Sequence, residues 1–138
     1  MSFREKSAWA MLAVMVVTGL FYLGIVRQIP ADAPALAQAG PLIPYVIGVI
    51  VLSIIVQVVL AIASPKEAEV PADERERPLL DKAGHWSGVV LGVAVIHGAL
   101  QYMWTGQGSV MFHWIVGGLI LAQIAEYGLQ ILFLRRGY

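Results

Sequence analysis

The chain has 138 residues, 59% hydrophobic and only 13% charged, with nine basic side chains balanced by nine acidic ones. Soluble domains carry about 45–50% apolar and about 25% charged residues, so this much apolar surface calls for lipid as its solvent, and a neutral chain offers nucleic acid no electrostatic footing. There is no cysteine, which removes disulfides, thiolate metal sites and thiol nucleophiles.

The first apolar run, Ala8 to Val26, follows Arg4, Glu5 and Lys6 and stops at Arg27. Ala37-Gln38-Ala39 further on has the small-residue pattern of a leader cleavage site. The run is nevertheless longer than the 7–15 residues of a leader's apolar core, so a retained first helix is expected. A small Ala/Pro-rich loop, Gln28 to Gly40, leads to the second run, Leu42 to Ala63. The third runs from Trp86 to Met103 and the fourth from about Val110 to Leu134, closed by Arg135 and Arg136. Each is close to the ~20 residues that cross a hydrocarbon core at about 1.5 Å per residue. None alternates like a barrel strand, and open sheet edges cannot face lipid.

The expected fold is therefore all-α: a single four-helix transmembrane domain over residues 1–138, an antiparallel up-and-down bundle with spans at about 8–26, 42–63, 86–103 and 110–134. Proline placement agrees. Pro30, Pro34 and Pro41 fall between the first two runs, and Pro44 stands in a first helical turn, where its missing N–H costs little. Pro65, Pro71 and Pro78 fall in the polar stretch after the second run, and Gly106 and Gly108 supply the turn between the last two.

Threading four helices puts Arg4, Lys6, Lys66, Arg75, Arg77, Lys82, Arg135 and Arg136 on one side and only Arg27 on the other. By the positive-inside rule both termini and the loop from Ser64 to Gly84 are cytoplasmic. Trp9 and Trp86 then mark the inner interface, with Tyr45, Tyr102, Trp104 and Trp114 near the outer one. The inner loop carries both signs of charge, as expected of a solvated loop with a short helical lead-in to the third span; it could also serve as a docking surface.

Within that loop, Asp73-Glu74-Arg75-Glu76-Arg77 followed by Leu79, Leu80, Lys82 and Ala83 resembles the D-E-R loop of small four-helix prokaryotic membrane proteins. The likeness covers the loop, the helix after it, and the overall length and hydropathy; Pro78 departs from it. That family carries no assigned chemistry, so the resemblance implies the topology and a prokaryotic plasma membrane.

Polar side chains inside the spans are the informative exceptions, because each is expensive in lipid unless it faces protein or water. Gln123, Glu126 and Gln130 form one stripe at i, i+3 and i+7, and His97 and Gln101 share a face at i and i+4. With spans centred near residues 53, 95 and 122, Gln57 and Glu126 both lie roughly 6 Å to the inner side of the midplane, and His97 within about 5 Å of the depth of Gln123. A polar seam of Glu126, Gln57, Gln123, Gln130, His97 and Gln101 is expected, with Gln57 as the partner of Glu126. The glutamines suit interhelical hydrogen bonding. Glu126 asks for more, since glutamine would do the same at lower desolvation cost: a proton, a cation, a polar ligand or a partner subunit. Bis-histidine haem needs two imidazoles at matched depth, whereas His85 falls at the inner interface and His113 at the outer one, where both are expected to be ordinary interface residues. One imidazole and one carboxylate also under-supply a metal, so neither cofactor nor metal is expected.

Gly84, Gly88 and Gly92, with Ala94 and Gly98 beyond, form a small-residue ridge on the third span. It suits close packing within the bundle or against another chain. With no catalytic constellation in view, the expected function is non-enzymatic: an accessory or scaffold subunit of a larger membrane assembly, in contact with the bilayer and with other membrane subunits or a second copy. The alternative is a small dimeric proton- or cation-coupled transporter using Glu126.

Overall fold

The computed structural model describes residues 2–30, 32–68, 70 and 73–136. These form six helices: α1 (Phe3–Val26), α2 (Ala35–Ala39), α3 (Leu42–Ala63), α4 (Pro65–Ala68), α5 (Glu76–Thr105) and α6 (Gly108–Arg136). The described residues contain no strand. Four helical stretches, with α2 and α3 counted together, are long and apolar enough to cross a membrane.

The helix limits follow from local chemistry. Ser2 caps α1 by accepting the Glu5 N–H at 3.2 Å, the N-cap half of a Ser-x-x-Glu capping box. Pro41 and Pro65 bracket α3, whose limits match the apolar run residue for residue. At the end of α5, Gly106 turns left-handed at φ 66° and donates to the Tyr102 carbonyl at 2.8 Å. Only glycine adopts that conformation without steric cost, so α6 can begin after one further residue.

The helical lead-in to the third span is longer than expected. α5 starts at Glu76 rather than near Trp86, so much of the presumed loop is helix, and Pro78 occupies its first turn, where no N–H is missed. The reason is packing. This charged stretch still turns an apolar side inward, with Leu79 and Leu80 half-buried and Ala83 fully buried.

The helices pack in the order α3–α1–α6–α5, with the main contacts between α5 and α6, α1 and α6, and α1 and α3. Ala94 lies over Gly118, and Gly98 lies over Trp114 and Met111. A Cβ added at Gly118 would stand 2.4 Å from that of Ala94, and one at Gly19 of α1 would stand 2.7 Å from Cγ2 of Ile120. These glycines set the interhelical distances. The Gly84, Gly88 and Gly92 ridge does not: a Cβ at any of them meets nothing within 4 Å. The packing-within-the-bundle reading of that ridge is therefore corrected. The ridge veers away from α6 because α5 buries Ala83, Ser87 and Gly98 instead.

The core is built on Tyr22, Val116 and Ile120, with Leu42, Tyr45, Phe112 and Ile124 packed around them. No residue of α3 is buried, so the bundle is open on that flank. Where the start of α1 meets the end of α6, Arg135 pairs with Glu5 and lies 5.6 Å from the centre of the Trp9 ring, while Arg4 pairs with Glu76 at 2.9 Å.

Candidate functional site

A polar crevice of about 640 Å³ lies near that same end, among α1, α3, α5, α6 and the segment after α4. Ser7 of α1, Gln57 of α3, Asp81 and Gly84 of α5, and Glu126 and Gln130 of α6 line it. Because α3 and α5 do not pack along each other, the crevice lies between them, with α1 and α6 also lining it.

Its hydrogen bonding is uneven. Gln57 and Ser7 satisfy each other: the amide donates to the hydroxyl at 2.8 Å, and the hydroxyl faces the amide oxygen at 3.2 Å. Glu126 is poorly served. Gln130 donates to one carboxylate oxygen at 3.3 Å. The Ser87 hydroxyl lies 3.4 Å from the other but has a better acceptor in the Gly84 carbonyl at 2.9 Å. A hydroxyl has one proton to give, and 3.4 Å is long for an O–H···O bond. No basic side chain among the described residues pairs with Glu126. Arg4, which also lines the crevice, is engaged by Glu76 and by the Val70 carbonyl at 3.3 Å.

The expected seam divides. Gln57, Glu126 and Gln130 share the crevice, with Gly84 at its edge. Gln57 faces Ser7 rather than Glu126, because α3 packs on α1. Gln123 is exposed and lines no part of the crevice. His97 lies away from it, stacked edge-on against Trp114 with ring centres 4.1 Å apart and accepting from Gln101 at 3.3 Å. Among the described residues no group of three His, Asp or Glu side chains could hold a metal ion.

His113 is more than an interface residue. Its Nδ1 is hydrogen-bonded to the Tyr22 hydroxyl at 3.0 Å, and Tyr45 packs edge-on against Tyr22 at 5.4 Å. His85, by contrast, is exposed and lies edge-on to Trp86. Ser7, Ser87 and Tyr22 were not singled out from sequence. Ser87 had a findable signal: it and Glu126 stand equally far from the turn at 106–107, so two helices closing on that turn bring them level. No family model matches this chain, nor does any curated protein or solved structure.

Proposed function

We propose that this is a non-enzymatic multi-pass membrane protein, threaded antiparallel with both termini cytoplasmic in a prokaryotic inner membrane, serving as an accessory or scaffold subunit of a larger assembly. The observation that carries the reading is Gln123. It is exposed near the middle of α6, between the apolar Ala122 and Ile124, and an amide left facing hydrocarbon is costly. The glycine ridge on α5 supports the same view, since its open space lets a foreign helix approach closely.

Native mass measurement in mild detergent tests the role directly. A complex of fixed stoichiometry with a second membrane protein is expected, and a chain that remains monomeric overturns the reading. Gln123→Leu should weaken the complex by about 0.6–1.7 kcal/mol, the range of interhelical polar contacts. Gly88→Leu and Gly92→Leu should disrupt it while leaving the melting of the isolated chain unchanged. For the threading, reporters after Tyr138 and near Val70 should both read cytoplasmic; an external signal from either contradicts it.

The under-satisfied Glu126 favours a second reading, a dimeric proton- or cation-coupled transporter. A homodimer whose ion flux in liposomes is abolished by Glu126→Gln would decide for it.

A further inference from the structure

Glu126 presents a hydrogen-bonding demand that the described residues meet only in part. An ionised carboxylate offers about four acceptor positions, and here Gln130 donates to one at 3.3 Å while the Ser87 hydroxyl lies 3.4 Å from another. Glu126 is half-buried, so much of its acceptor capacity faces the 640 Å³ crevice that it lines, and a partner has room there.

The other groups of the crevice narrow the chemistry. Asp81, exposed at its rim, carries a second carboxylate with no basic partner among the described residues. Ser87 is level with Glu126, and Asp81 is six residues earlier on α5, so it stands roughly 9 Å nearer the terminal end. Arg4, the basic residue among the described lining, is already paired with Glu76. The crevice therefore favours a positive guest, met first by Asp81 and then by Glu126.

That guest needs N–H donors. The free acceptors are Glu126, Asp81 and the remaining lone pairs of Gln57 and Ser7, and a primary ammonium brings three donors to such a set. A quaternary ammonium has none and is held instead by aromatic faces, of which Phe3 alone lines the crevice. A bare metal ion would need more than two carboxylates set about 9 Å apart along the helices. The route in is also suggestive. The crevice lies between α3 and α5, which do not pack together, and in the proposed threading it opens toward the inner leaflet.

We propose that the crevice binds a primary ammonium group, carried by an aminophospholipid head group or by a soluble amine, with Glu126 as its counter-charge. The site rests on the membrane threading proposed above and not on the subunit role.

The test compares phosphatidylethanolamine with phosphatidylcholine of the same acyl chains. The two head groups differ only in replacement of the N–H hydrogens by methyl groups. The full-length chain is given each lipid in mild detergent, and retained lipid is read by native mass spectrometry; equilibrium dialysis with labelled ethanolamine forms the second arm. If the ammonium is lipid-borne, phosphatidylethanolamine is retained about tenfold better, the equivalent of one charge-assisted hydrogen bond, and Glu126→Gln removes the preference. If it is soluble, the two lipids behave alike, and ethanolamine binds saturably to the parent but not to Glu126→Gln. Equal retention of both lipids together with no saturable ethanolamine binding overturns the proposal, and so does a preference that survives in Glu126→Gln. The parent alone decides the first of these outcomes, so the test stands even if the variant does not assemble. The same spectra report partner chains, so loss of the ligand site and loss of the subunit role are read separately.

Discussion

Gly118→Ala is expected to be among the most damaging single substitutions in this chain, although it adds one methyl group. That methyl would stand 2.4 Å from Cβ of Ala94 and 3.7 Å from its Cα, so α5 and α6 must separate. Overpacking of this kind costs about 1–3 kcal/mol, and here it strikes the most extensive helix contact in the molecule. Thermal melting in detergent should show a clear loss for Gly118→Ala and none for Gly88→Ala, where the space is open. The double variant Gly118→Ala with Ala94→Gly should recover most of the loss, because it moves the methyl from one helix to the other. Failure of that rescue would mean that Ala94 is not the neighbour that Gly118 meets.

Replacing Tyr22 should cost still more. Its side chain is 1% exposed and is the largest fully buried group in the described structure. It joins three helices, packing on Tyr45 of α3 and on Val116, Ile120 and His113 of α6. Truncating a buried aromatic ring to alanine costs about 3–5 kcal/mol. In lipid most of that comes from lost packing, since transfer from water no longer drives helix association. Tyr22→Phe keeps the ring and removes only the hydroxyl, leaving His113 Nδ1 without its partner, at about 1–3 kcal/mol. The ordering parent, Phe, Ala in melting temperature is the expected result. A Phe variant as unstable as the Ala variant would show that the hydrogen bond, rather than the ring, holds the core.

The four long helices were legible because each combines an apolar run with punctuation at its ends. α3 is the clearest case, with proline just before it and Ser64-Pro65 just after. The helical lead-in of α5 was expected but its length was not legible, because hydropathy reports the lipid-facing composition of a segment and says nothing of a charged stretch that packs through Leu79, Leu80 and Ala83. The site was legible in depth and illegible in direction. Counting residues from the span centres brought Gln57 and Glu126 to one level, and the crevice contains both. Periodicity along α6 could not say which side of Gln123 has a neighbour, because that depends on α3 and α5 standing apart. The glycine ridge shows the same limit: spacing marks where a close approach is allowed, and within the bundle it occurs at Gly98 and Gly118.

The pairing of Glu5 with Arg135 joins residues 130 positions apart, and it bears on how the chain is made. Among these four helices, the one made earliest has its principal neighbours in α3 and in the one made latest. α5 and α6 can close on each other at once across the two-residue turn between them, but the α1 surface around Gly19 and Tyr22 stays uncovered until α6 arrives. A nascent chain halted after Gln107 therefore carries an unfinished first helix, and it should be cleared by membrane proteases faster than the full chain. Co-expression of residues 108–138 as a separate segment should slow that clearance.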